Sequence, residues 1–263
     1  MLRPRIIPCL LVHNGGLVKT VGFKDPKYVG DPINAVKIFN EKETDELMVL
    51  DIDATAKGRD PDFKMIADLA VECRMPLCYG GGVRTPEHAK RIIELGVEKV
   101  SVSSAAIEDP GLVTKIAGEV GRQSMVVTID VRRRPTGYEV FTHNGQKATG
   151  ISVEAMAKRA EELGAGELVI NAIDDDGMMK GYDLDLARRI RGDLSIPMTY
   201  LGGAGKLEDI GRLFEACGVV GAAAGSLFVF KGPYRAVLIN YPNPHKKDEL
   251  VSSTLGDKRL IAR

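Results

Sequence analysis

Short apolar runs alternate with longer amphipathic stretches along the whole of this chain. The runs are Arg5–Val12, Leu47–Ile52, Pro76–Tyr79, Lys99–Ser103, Met125–Asp130, Leu168–Ala172, Pro197–Leu201 and Val219–Ala224. Each is mainly apolar and bounded by turn residues, the pattern of a strand buried on both faces. Between them, segments such as Thr85–Leu95, Ser152–Leu163 and Lys206–Ala216 repeat apolar residues at three- and four-residue spacing, as amphipathic helices do. Eight strand–helix units predict an α/β fold, a closed (β/α)8 TIM barrel. An open doubly wound sheet is the alternative. It wants a glycine-rich dinucleotide turn after its first strand, and none is present.

An internal repeat favours the barrel. PLCYGGGVRTPEHAKRIIELGVEKVSVSSAA, from Pro76, aligns with PMTYLGGAGKLEDIGRLFEACGVVGAAAGSL, from Pro197; DELMVLDID, from Asp45, aligns with GELVINAID, from Gly166. The offset is close to half the chain, so two similar half-barrels are expected. A length of 263 residues then reads as one barrel domain, 1–263, rather than two domains. The tail after about residue 231 diverges. Pro233, Pro242 and Pro244 fall close together and the end is polar, so a long final helix is not expected and the terminus should be loosely packed.

Composition narrows the function classes. Lys+Arg and Asp+Glu are 36 each, which argues against a basic field for nucleic acid. No apolar run approaches the roughly 20 residues of a membrane helix, and the N-terminus does not read as a signal peptide. Cys9, Cys73, Cys78 and Cys217 lack metal-type spacing and read as reduced thiols of a cytoplasmic protein. Glycine, 29 residues, is in excess of the usual share of about 7%.

Part of that excess lies where chemistry is expected. In a barrel the site forms at the C-terminal ends of the strands. The repeat places two matched glycine loops there, Gly80-Gly81-Gly82 and Gly202-Gly203-Ala204-Gly205. Backbone N–H groups in such loops suit phosphate. Ser103 and Ser104 after one strand, and Gly225 and Ser226 after its repeat mate, would complete two cups for an elongated ligand with a phosphate at each end. Carboxylates also end strands: Asp51, Asp53, Asp130, and the run Asp174 to Asp176. Asp130 ends an apolar run, so its burial and an acid–base role are expected. The acidic run lacks the alternating ligands of a calcium loop, and no metal or cofactor is expected. The repeat puts Leu11 where the second half has Asp130. Lys19 lies in a polar loop long enough for a mobile lid, and His13 reads as a surface residue. At the opposite end, Arg5, Glu46, Lys99 and Glu167 stand at strand starts and read from spacing alone as solvated or salt-bridged caps.

Taken together, RIIPCL, VKTVGF, YGGGVRT, VVTIDV, GAGEL–IDDDG, GGAGK and GSLFVF resemble the cyclase subunit of imidazole glycerol phosphate synthase, the HisF family. The likeness covers Arg3 to about Pro233. It implies a two-fold (β/α)8 barrel and a linear bis-phosphate substrate, a phosphoribulosyl aminoimidazole carboxamide ribotide. It implies a class I glutaminase on the N-terminal face, whose ammonia crosses the barrel and is used in cleaving and cyclising that substrate. It assigns catalysis to Asp130 and the ammonia gate to Arg5, Glu46, Lys99 and Glu167, reversing the plainer reading of those charges. Ligand contacts fall on Lys19, Gly81, Gly82, Asp176, Gly202 and Gly203. The family's first catalytic aspartate falls on Leu11. Ser103 replaces an asparagine, Leu201 a serine, and Asn171 and Met178 stand for threonines. The segments CLLVHNGGLVKTVGFKDPKYVGDPINA and GSLFVFKGPYRAVLINYP resemble a HisF-like branch tied to acetamidino-sugar surface polysaccharides. There the subunit is thought to supply ammonia to an amidotransferase resembling asparagine synthetase. The expectation is therefore an ammonia-delivering subunit with reduced or lost cyclase activity; the alternative is a working cyclase in which Asp53 or Asp176 shares the proton transfer.

Overall fold

The apolar runs form eight parallel strands: β1 (Arg5–His13), β2 (Leu47–Asp51), β3 (Leu77–Gly80), β4 (Lys99–Val102), β5 (Met125–Arg134), β6 (Glu167–Ala172), β7 (Met198–Leu201) and β8 (Gly221–Ala224). The computed structural model describes residues 3–259. Each strand pairs in parallel with the next, and β8 returns to β1 with Arg5 opposite Gly221. The result is the closed (β/α)8 barrel that the alternation predicts.

Longer helices of nine or more residues follow the first seven strands: α1 (Pro32–Glu41), α2 (Phe63–Glu72), α3 (Pro86–Glu94), α4 (Gly111–Val120), α5 (Val153–Glu162), α6 (Leu184–Gly192) and α7 (Leu207–Cys217). Their starts are fixed chemically. Asp31, Asp62, Thr85, Ser152 and Asp183 each accept a hydrogen bond from the N–H three residues on. Alternation along β1 divides the core in two. Ile6, Leu10 and Val12 pack outward in the apolar layer shared with the helices. Ile7 and Cys9 point inward and meet Met48, Cys78, Val126, Val169, Leu201 and Ala223 in a separate apolar lumen.

Three segments depart from the sequence expectation. The polar stretch after β1 is an ordered antiparallel hairpin, Gly16–Val21 with Lys24–Gly30, not an irregular loop. β5 runs past Asp130 into a second hairpin, Gly137–Thr142 with Lys147–Ser152. Each hairpin docks on the opposite half-barrel. The first is held by Thr20 Oγ1 donating to Asp176 (2.6 Å) and Gly22 N–H donating to Asp176 O (3.0 Å). The second reaches back through Asn144 Nδ2 to Ile52 O (2.7 Å).

The third departure corrects the reading of the tail. Where no long final helix is expected, it forms a helix over Pro244–Arg259, α8, with a kink at Gly256; residues 260–263, part of the terminus expected to be loosely packed, lie outside the described residues. Proline breaks a helix interior but suits its first turn. Pro244 sits there, and Asn243 Oδ1 accepts from Lys246 N (2.9 Å). Gly211 of α7 lets α8 come close: a Cβ there would stand 3.1 Å from Leu250 and 3.2 Å from Thr254. Upstream, Tyr241 ties the tail to the barrel floor. Its hydroxyl donates to Ile6 O (2.8 Å) and accepts from Asp45 N (3.1 Å). Asp45 in turn accepts from Ile6 N (2.9 Å) and Lys247 Nζ (2.7 Å).

Candidate functional site

The strand starts bring Arg5, Glu46, Lys99 and Glu167 into one closed ring across the lower mouth. Arg5 pairs with Glu46 and, at 2.7 Å, with Glu167; Lys99 bridges Glu46 and Glu167 at 2.8 Å each. Thr199 Oγ1 donates to Glu167 (2.7 Å). Both glutamates are buried. Burial alone would raise the pKa of Glu167, but Arg5 and Lys99 outweigh it and hold the carboxyl down at about 2. These are therefore paired charges facing a common centre, the salt-bridged form of the plain reading rather than the solvated one.

Above the ring lies the apolar lumen, and above that a cleft of about 1230 Å³ including its open mouth. Lys19, Gly81, Gly82, Ser103, Ser104, Asp130, Asp176, Gly202, Gly203, Gly225 and Ser226 all line it, together with Leu11 and Leu201. Residues far apart in the chain and singled out on the repeat thus share one cavity. The repeat also survives in atomic detail. Gly81 has φ +121° and passes so close to β2 that a Cβ would overlap Asp51 O. Gly202 has φ +104°, and a Cβ would lie 2.7 Å from Ala172 O, at the matching place on β6. Gly81→Ala is therefore expected to cost about 3 kcal/mol, from strained φ plus overpacking. Gly118→Ala, in the open on α4, is expected to gain about 0.5–1 kcal/mol. Urea denaturation of both variants checks the contrast.

Asp130 sits at the cavity wall on β5. Asn171, its register partner on β6, donates to Oδ1 (2.8 Å), and Ser103 Oγ donates to Oδ2 (3.2 Å). Burial pushes its pKa up; the two hydrogen bonds oppose that, the Asp176 charge adds to it, and the result is about 6. Such a carboxyl can hold or release a proton near neutrality. Two residues that depart from the family pattern, Ser103 and Asn171, are the ones that grip it. Leu11 places no ionisable group opposite.

Lys19 is not on an exposed lid. It projects inward from the first hairpin, is 5% exposed, and donates from Nζ to Cys9 O (2.5 Å). Asp176 accepts from Thr20 Oγ1 and from Phe23 N (3.1 Å), and burial raises its pKa. Its neighbour Asp174 accepts from Arg133 N (2.8 Å) outside the cleft, as a brace for the second hairpin. Asp53 does not line the cleft. It binds His13 Nδ1 (2.7 Å), Asn14 N (2.8 Å) and Lys57 Nζ (2.9 Å), and despite burial these lower its pKa. That network fixes the turn at the base of the first hairpin, and it makes His13 a half-buried partner rather than a free surface group. Thr55, Phe23, His143 and Asn144 also line the cleft and were not anticipated. His143 and Asn144 arrive on the second hairpin.

Comparison with known proteins agrees with this geometry. The family model described as histidine biosynthesis protein matches residues 5–234. A Vibrio vulnificus protein, provisionally named imidazole glycerol phosphate synthase subunit hisF3, is 57% identical over 249 residues, 94% of this chain and 96% of its own. A Leptospira interrogans protein, provisionally named subunit HisF of the same synthase, is 56% identical over 252 residues, 95% of this chain and 99% of its own. The imidazole glycerol phosphate synthase subunit HisF of Streptomyces griseus is 41% identical over 230 residues, 87% of this chain and 91% of its own. With a two-fold barrel, matched glycine loops and relatives along most of its length, the chain belongs to the histidine biosynthesis protein family and is a HisF homologue within it.

Proposed function

We propose that this chain is the barrel subunit of a glutamine-dependent synthase. Ammonia from a class I glutaminase on the N-terminal face enters at the charged ring, crosses the lumen and meets a phosphorylated ligand over Asp130. The observation that carries this is the stacking, in one barrel, of the ring, the apolar lumen and the cleft. An apolar lumen admits neutral ammonia and excludes ammonium, whose desolvation is costly. The ring is closed by Lys99, so passage requires that side chain to swing from Glu46 or Glu167.

Two readings follow for the chemistry above. The first is cyclisation to imidazole glycerol phosphate, the activity in the names of the relatives. The second is delivery of ammonia onward, for an acetamidino sugar of a surface polysaccharide, to an amidotransferase resembling asparagine synthetase. One observation favours the second: Leu11 lines the cleft where a second acid–base group would stand. The test supplies the purified chain with excess ammonium and the bis-phosphate ribulosyl substrate and follows substrate loss. One positioned acid–base group contributes about 10²–10⁴-fold. We expect Leu11→Asp to raise turnover by at least about 10²-fold. Wild-type turnover near that of an ordinary cyclase would remove the second reading. For the ammonia route, the chain is mixed with its glutaminase and glutamine hydrolysis is measured; rates indifferent to Lys99→Ala would sink it.

A further inference from the structure

The four members of the charged ring are not anchored alike. Arg5, Lys99 and Glu167 stand on β1, β4 and β6, opposite Gly221, Cys78 and Val126 in the strand ladders. Glu46 precedes β2, which begins at Leu47, so it lies outside the ladder. Yet it carries half of the ring's negative charge, accepting from Arg5 and twice from Lys99 (2.8 and 2.9 Å). Two cations on long side chains can follow a carboxylate that moves. The place of Glu46 must therefore be fixed through its own backbone.

That backbone is held from the tail. Asp45, its neighbour, donates from its N–H to the Tyr241 hydroxyl (3.1 Å). The Asp45 carboxylate accepts from Lys247 Nζ (2.7 Å) and from Ile6 N (2.9 Å). Lys247 also donates to Glu43 O (3.0 Å), three residues before the ring glutamate. The same Tyr241 hydroxyl donates to Ile6 O (2.8 Å), one residue from Arg5. One phenol oxygen thus clasps the two segments that carry Arg5 and Glu46. Its ring is wedged between Phe228, 5.4 Å between centroids, and Lys247 Nζ, 5.2 Å from its centroid. Across the ring, Lys99 and Glu167 are set by their ladders, and Thr199 braces Glu167 (2.7 Å).

We infer that Tyr241 and Lys247 are positioning residues of the charged ring: the tail is a latch that holds the Arg5–Glu46 half against Lys99 and Glu167. With the clasp at Asp45 made, Glu46 is pinned and Lys99 keeps both carboxylates. With it released, Glu46 yields and Lys99 is free to swing. This rests on the reading of the ring as an ammonia entrance and adds what governs its opening.

Iodoacetamide labelling of the full chain, followed cysteine by cysteine by mass spectrometry, tests the latch. Cys78 is buried in the lumen opposite Lys99 in the ladder, so it reports entry past the ring. Cys9 is buried in the same lumen but lines the cleft, so it reports entry from above. Tyr241→Phe keeps the packed ring and removes the hydroxyl. It should raise the Cys78 rate about 10-fold, the worth of one or two hydrogen bonds, and leave Cys9 unchanged. Lys247→Met, a second variant that leaves the tyrosine in place, should raise the Cys78 rate about 3-fold. A Cys78 rate unchanged in both variants overturns the proposal. So does a rise shared equally by Cys9 and Cys78, which would make the tail a general brace of the fold. The labelling is done without the glutaminase. Glutamine hydrolysis indifferent to Lys99→Ala, which sinks the ammonia route, is therefore a separate result from the failure of the latch.

Discussion

Asp130→Asn is expected to make the protein more stable and its chemistry slower. The sign of the stability change follows from the direction of the pKa shift. The folded-state pKa is raised from 3.8 to about 6, so the folded chain binds this proton more tightly than the unfolded chain does. Below pH 4 both states are protonated and Asp130 carries no penalty. As pH rises through 6 the folded protein must ionise a buried carboxyl, and it loses about 3 kcal/mol relative to the unfolded chain. The asparagine variant avoids that cost. Denaturation curves should coincide near pH 4 and separate by up to about 3 kcal/mol at pH 8, the variant being the more stable. On the cyclase reading, ammonium-dependent turnover should fall by about 10²–10⁴-fold over the same range, because the amide cannot exchange a proton. A variant no more stable than wild type at pH 8 would mean that Asn171 and Ser103 fully offset the burial.

Glu167→Gln is expected to have the largest cost in stability. The ring balances two cations against two carboxylates, and Glu167 accepts from Arg5, Lys99 and Thr199. Removing its charge leaves Arg5 and Lys99 to share Glu46. Breaking a buried ion-pair network from one side costs about 3–5 kcal/mol. Here too the pH dependence can be checked. A carboxyl held at about 2 contributes stability that is complete above its unfolded pKa of 4.5 and is lost as pH falls toward 2. Wild type and Glu167→Gln should thus differ most at pH 7 and converge by pH 2. A constant difference across that range would show that shape, not charge, is what the ring contributes.

The barrel was legible because each strand carries its own boundary signals and its own buried composition. Strand ends fell within two residues of expectation, except at β5, where the polar run Arg132–Arg134 hid the continuation. The hairpins had a signal that went unused. Asn144-Gly145 lies in the turn of the second hairpin, Asn14-Gly15 turns β1 into the inner strand of the first, and all four residues have positive φ. What masked the first hairpin is its outer strand, Lys24–Gly30, which is almost wholly exposed and so lacks apolar alternation. The helix at Pro244 was missed because proline was read as a breaker at a position where it starts one. In the cleft, residue positions were legible but partners were not. Asp130 meets Ser103 and Asn171 because β4 and β6 flank β5, a matter of register rather than of local pattern. The inward aim of Lys19 depends on the hairpin that carries it, and Thr55 and His143 reach the cleft from segments that no motif marked.

The staple at Tyr241 has a consequence for the order of events in synthesis. β1 precedes the other strands in synthesis, but its edge partner β8 and the tyrosine that caps Ile6 and Asp45 emerge only after the seven other strands. Asp45 adjoins Glu46, so the floor on which the charged ring is built is not locked until then. Contacts between such distant segments make closure slow, and the nascent chain must hold seven strands with an unpaired edge while it waits. Chaperone demand and susceptibility to nascent-chain proteolysis should therefore fall sharply only once residues beyond Tyr241 have emerged.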